Sequence, residues 1–249
     1  MLVPRLVNMQ ASLHNGVMKT AFSKLIGVAA MVVILALGAS SCGEEPVNID
    51  PQTLLTETSA NMKQLAGFHF VYELHQPESA KRAEGVQRVE ADFNSAGEMR
   101  ATVQYLASGT LISIDVVALV DMHYVKYPLS KEYSPLDPAE SPLTKLNLAE
   151  GPTKILDNVT SPAFVGVEKR VGVKTYHIAG EVTAEDIESI VGTVSTADTF
   201  IADLWIGVDD SLLYEVDVDG PMTPEEPSGT TRSIILSSMG VATDIKAPL

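Results

Sequence analysis

The stretch Phe68-His69-Phe70-Val71-Tyr72-Glu73-Leu74-His75 sets large apolar side chains at every second position. A period of two belongs to a strand with one buried face, here Phe68, Phe70, Tyr72 and Leu74. Downstream, residues 84–93 alternate again with more polar content, and Asn94-Ser95-Ala96-Gly97 turns the chain. Residues 98–108 return with Met99, Ala101, Val103 and Tyr105 on one face. After Gly109, Ile112, Ile114 and Val116 share a face of the next strand, and Asp121-Met122 turns into a strand at 123–127. Successive strands joined by short turns predict an antiparallel meander.

Four prolines (Pro128, Pro135, Pro138, Pro142) exclude a central strand or a helix interior from 128–142, which reads as a surface loop. Residues 143–159 carry helical character, interrupted at Gly151-Pro152, where a short helix over 153–158 begins. Strands follow at 163–169 and 174–182, separated by a turn at Arg170-Val171-Gly172. Thr183 caps a helix with Glu185, Asp186 and Glu188 near its positive end and Ile187, Ile190 and Val191 as its apolar residues. A hairpin over 199–208 and 212–218, a loop at 221–227 and a last strand at 230–239 complete the chain.

Upstream of Phe68, Asp50-Pro51 starts a helix, with Asp as cap and Pro at the first helical position. Leu54, Leu55, Thr58, Met62 and Leu65 fall on one of its faces, and Gly67 ends it. The sum is about ten antiparallel strands with three or four amphipathic helices, and a sheet of that size has to curl, split or close. Helices on its concave side make one α+β domain; periodicity leaves open whether the interior is solid or hollow.

The stretch from Thr20 to Cys42, TAFSKLIGVAAMVVILALGASSC, has the basic, apolar, small order of an export signal. Its apolar run from Leu25 to Leu37 falls short of the roughly 20 residues of a permanent span. Ala39-Ser40-Ser41-Cys42 resembles a bacterial lipobox, with Ala39 where a larger aliphatic residue is usual. The expectation is a signal peptide over residues 1–41, a tether at 42–49 lipidated on Cys42, and a lipid-binding domain over 50–249. Residues 1–17 lie upstream of Met18, which has the features of the true start. The competing reading is an uncleaved anchor helix; both place the remainder outside the cytoplasm at a membrane.

After Cys42 stand 14 basic and 32 acidic residues, a net charge near −18. A field of that sign disfavours nucleic acid and electrostatic docking on anionic membranes, and it also serves solubility. The sole cysteine excludes a disulfide framework and a cysteine metal site. The five histidines (His14, His69, His75, His123, His177) have no metal-ligand spacing, and no serine lies in G-x-S-x-G or S-x-x-K. Asp217-Val218-Asp219-Gly220 opens like a calcium loop but lacks the later ligands. Asn158-Val159-Thr160 is a formal sequon that reads as a helix end. Neither a catalytic residue, a metal site nor a cofactor is expected.

Leu156-Asp157-Asn158-Val159-Thr160-Ser161-Pro162, then Gly166, Arg170-Val171-Gly172-Val173 and Thr175-Tyr176-His177-Ile178-Ala179-Gly180-Glu181-Val182 resemble the LppX/LprG family of lipoproteins. Ala202-Asp203-Leu204-Trp205-Ile206-Gly207, Leu212-Leu213 and Met239-Gly240-Val241 fit the same pattern. The resemblance implies a half-barrel of antiparallel strands with helices over its concave face. Between them it implies an apolar cavity for acyl chains of a lipid or glycolipid, and a non-catalytic carrier or chaperone in the cell envelope.

The cavity candidates are Leu54, Leu55, Met62, Leu65, Ile187, Ile190 and Val191 on helices. On strands they are Phe70, Tyr72, Val103, Tyr105, Ile114, Leu204 and Ile206. Core packing explains each equally well. Expected partners are lipid or glycolipid acyl chains and the membrane through the anchor, with an envelope transporter as a candidate and a monomer as the state. The alternative is an envelope scaffold of similar fold with a filled core.

Overall fold

The computed structural model describes residues 49–141, 148–192 and 194–248. The anchor segment with Cys42, the stretch 143–147 of the expected helical region and Leu249 lie outside the described residues. Residues from Val47 to Leu249 form one compact unit with its own core.

Helix α1 (Pro51–Met62) leads into β1 (Gly67–His75), β2 (Gly85–Asn94), β3 (Met99–Ala107), β4 (Thr110–Ala118) and β5 (His123–Lys126). A short β6 (Ser134–Leu136), one 3-10 turn at Pro138–Glu140 and α2 (Gly151–Asn158) follow. Then come β7 (Thr160–Arg170), β8 (Val173–Thr183), α3 (Ala184–Val191), β9 (Thr199–Gly207), β10 (Leu213–Asp219) and β11 (Thr231–Ser237). All eleven strands join one open antiparallel sheet in the order β6-β5-β4-β3-β2-β1-β11-β10-β9-β8-β7.

The chain walks outward from β1 to the β6 edge. It crosses to the opposite edge through the segment carrying α2, then walks back from β7 to β11. First and last strands therefore pair in the middle, Phe70 opposite Leu236 and Tyr72 opposite Ile234.

Three local expectations are corrected. The Pro-rich loop contains β6, which tolerates Pro135 because an edge strand needs no hydrogen bond from both sides. Asp50 does not cap backbone amides; its carboxylate accepts from the Thr53 hydroxyl, while its carbonyl takes the Leu54 amide. Gly67 does not end α1, which stops at Met62, but opens β1. A Cβ there would run into the carbonyl oxygens of Phe93 and Val241, so only glycine fits that backbone approach. The expected cap of α3 is present as a full capping box between Thr183 and Asp186.

Candidate functional site

Strand alternation and register give the sheet one apolar face. Across it runs the row Ile114, Val103, Val89, Tyr72, Ile234, Val216, Leu204 and Ile178, each opposite the next. A second row runs Val125, Val116, Ala101, Ala91, Phe70 and Leu236. Leu54, Leu55 and Met62 of α1, Ile155 and Leu156 of α2, and Ile187 and Ile190 of α3 pack into the same cluster. The three helices roof this inner face. Gly151, at the start of α2, lets it close directly on Ile190 of α3.

Ten of the fourteen sequence candidates are buried in that cluster: Leu54, Leu55, Met62, Phe70, Tyr72, Val103, Ile187, Ile190, Leu204 and Ile206. Leu65, Ile114 and Val191 are half-buried against it. Tyr105 continues the face, opposite Val86 and Ile112, but is 38% exposed because it lies past the cover of the roof. Leu55, Phe70, Leu204 and Ile206 have no exposed surface at all, so they adjoin no void of water size.

A cleft of about 320 Å³ opens where the end of α1, the β2–β3 turn and the start of α2 meet. Met62, Leu65, Phe68 and Pro152 give it an apolar wall, and Lys63, Asn94 and Thr153 a polar rim.

Beside the cleft, α1 is clasped to α2. Lys63 Nζ lies 2.7 Å from Asp157 Oδ2, and the Ser59 hydroxyl donates to Asp157 Oδ1. Partial burial pushes the Asp157 carboxyl up, but hydrogen bonds from Lys63 and Ser59, with the Lys63 charge, outweigh it and hold it below the usual range. A depressed carboxylate contributes stability above its unfolded pKa and loses it as pH falls through the folded value. Asp157→Asn is therefore expected to cost up to about 1 kcal/mol at pH 7, the ordinary worth of a solvent-accessible pair. Urea melts of variant and parent should converge at a pH well below the ordinary carboxylate range. An equal gap at both pH values would sink the assignment.

The outer face is polar and bound together across β7 to β10. The Arg170 guanidinium sits 4.0 Å above the Trp205 ring and 2.9 Å from Glu215. His177 stacks on Trp205 with ring centroids 4.7 Å apart, its two nitrogens 2.8 Å from Glu168 and 2.7 Å from Asp203. The Trp205 indole donates to Glu168 at 3.0 Å and holds that carboxyl below the usual range. Burial pushes Glu215 and Asp217 the other way. These contacts tie β7 to β10 across the strands between them, so the network reads as a clamp on the sheet, with Arg170 Nε and Asp217 Oδ1 left without a hydrogen-bond partner among the described residues.

Sequence reasoning missed Phe93, Ile178, Val216, Ile234, Leu236 and Met222, all buried in the cluster. The period-two signal could have found the strand residues among them once the register was known. It also missed Arg232, a charged side chain on the inner face at 3% exposure. Among the described residues no cluster of His, Cys, Asp and Glu is arranged to hold a metal ion, and no helix is long and apolar enough to cross a membrane.

An open antiparallel sheet whose one apolar face is roofed by helices defines a half-barrel domain. The chain belongs to the LppX_LprAFG lipoprotein family, whose sequence profile matches residues 50–229. LprF from Mycobacterium bovis superposes with a TM-score of 0.62 at 19% identity, covering 80% of this chain and 96% of that one. LppX from Mycobacterium tuberculosis gives 0.56 at 17% identity, over 79% of this chain and 100% of the other. At these identities the likeness is one of fold. No curated protein sequence matches significantly.

Proposed function

We propose that this protein is an extracytoplasmic lipoprotein, anchored by lipid on Cys42 through the tether 42–49. Its domain from residue 50 onward takes acyl chains of a lipid or glycolipid against the inner face and carries or presents them in the cell envelope. The observation that carries this reading is the uninterrupted apolar row across eight strands beneath three short helices.

Such a carrier needs no reactive group, only apolar surface that leaves water with the ligand. A chain of ~16 carbons gains on the order of 10 kcal/mol relative to water, at roughly 0.8 kcal/mol per methylene. Relative to a bilayer the gain is close to zero, because both surroundings are apolar, and that balance permits loading and release. Because the middle of the inner face is closely packed, loading requires the roof to lift. It starts at the cleft or beside the exposed Tyr105 and half-buried Ile114, where the least packing is disturbed.

The domain without its anchor, extracted with organic solvent, is expected to yield co-purified lipid by mass spectrometry and to take up a fluorescent acyl probe. Repeated absence of both would abandon the carrier. A second reading, an envelope scaffold with a filled core, is favoured by the zero exposure of Leu55, Phe70, Leu204 and Ile206, and that same absence would support it. Separately, Cys42→Ala is expected to release the protein from membranes washed at high salt, with probe uptake intact; salt-resistant membrane association would instead indicate an uncleaved helix.

A further inference from the structure

We propose that the β7–β8 hairpin tip, Lys169-Arg170-Val171-Gly172-Val173-Lys174, is a docking point for an anionic lipid surface. Three observations on this hairpin converge. The first is charge. Lys169 and Lys174 stand directly opposite each other in register, both exposed. Like charges in that position destabilise a hairpin. Neither lysine has an ion-pair partner among the described residues, although the chain carries 32 acidic residues. Arg170, between them in sequence, is withdrawn onto Trp205 and Glu215, so the two lysines define the charge of the tip.

The second observation is the turn residue. Val171 holds a φ of 50° and Gly172 one of 83°. A β-branched residue is a poor choice for a left-handed position, which favours Asn, Asp or Gly. The β3–β4 hairpin makes a similar turn with Ser108 at 48° and Gly109 at 76°, a small polar residue where β7–β8 has valine. The third observation is exposure: Val171 is 46% exposed, so no core packing explains its presence. A strained, exposed apolar residue bracketed by two unpaired cations matches the layering of a lipid interface, with headgroup phosphates outside and acyl chains within.

The net negative charge of the domain does not cancel this site. At physiological ionic strength charges more than about 8 Å away are largely screened, so a surface in contact with the tip senses the tip. The tether 42–49 reaches at most about 25 Å, so the lipid anchor proposed above would keep the domain close to the bilayer. That orientation rests on the carrier reading, whereas docking by the tip is measurable without it.

The test uses the unanchored domain from Val47 with Val171→Trp, titrated with vesicles of phosphatidylcholine alone or of phosphatidylcholine mixed with the anionic phosphatidylglycerol. Matched vesicles carry brominated acyl chains, and the Trp205 signal of the parent domain is subtracted. Quenching of the introduced indole is expected with the anionic vesicles only. Lys169→Gln with Lys174→Gln should weaken the association about thirtyfold, the worth of two lysines at such a surface. Salt at several times physiological strength should weaken it as well. Equal association with both vesicle types, an unaffected double lysine variant, or no association at all would overturn the proposal. Lipid extraction is scored independently, so a failed tip and a failed carrier are told apart.

Discussion

Arg232→Ala is expected to remove about 3–5 kcal/mol of stability, the usual cost of orphaning one member of a buried ion pair. Arg232 lies on the inner face of β11, where its row neighbours across the sheet are Leu74 and Val218. Its Nη1 donates to the Gly220 carbonyl at 3.1 Å and its Nη2 to Glu226. Glu226 in turn accepts the Met222 amide at 2.8 Å, so the pair fastens the loop after β10 over that end of the sheet. Truncating the arginine leaves the Glu226 carboxylate buried without a counter-charge. For a domain of this size the melting temperature should drop by roughly 10 °C. Replacing both partners, Arg232→Met with Glu226→Gln, should recover most of the loss, because no charge is then left unpaired. Equilibrium urea unfolding of the three chains measures this, and a single-variant loss under about 1 kcal/mol would refute the account.

The second large effect is Phe70→Ala, also expected to cost about 3–5 kcal/mol. Phe70 is fully buried, stands edge-on to Phe93 at 6.0 Å, and meets Ala91 on one side and Leu236 on the other. The small Ala91 beside it leaves the phenyl ring as the principal filler of that part of the row. The variant also bears on function. A saturating short acyl probe that fits the gap should restore part of the lost stability by mass action. A full-size stability loss with no recovery at any probe concentration would favour the filled-core scaffold.

The sequence carried the local features well. Alternation at 68–75 and 98–108 places Phe70, Tyr72 and Val103 on the inner face, because side-chain direction in a strand depends only on position along it. Thr183 with Asp186 marks the start of α3 through bonding within four residues. What escaped the sequence is non-local. No period reports that β1 finds its second neighbour in β11, so the central row through Ile234 and Val216 could not be assembled beforehand. The β6 strand was hidden by Pro135, which argues against strands except at an edge, and edge position is a property of the finished sheet. Arg232 sits in an alternating run whose apolar neighbours Ile234 and Leu236 mark it as inward, but its partner Glu226 belongs to a loop without periodicity. For the site, helix and strand faces were legible, whereas the exposure of Tyr105 depends on where the roof stops.

The central pairing of β1 with β11 also governs assembly. A chain made from its amino end delivers β1 early and the 231–237 segment late. Until that last piece arrives, the seam in the centre of the sheet cannot be sewn, and the apolar row stays split into two wings. The domain therefore matures only once the chain is nearly complete, and a truncation inside β11 would leave the middle of the sheet unstitched rather than merely trimming an edge.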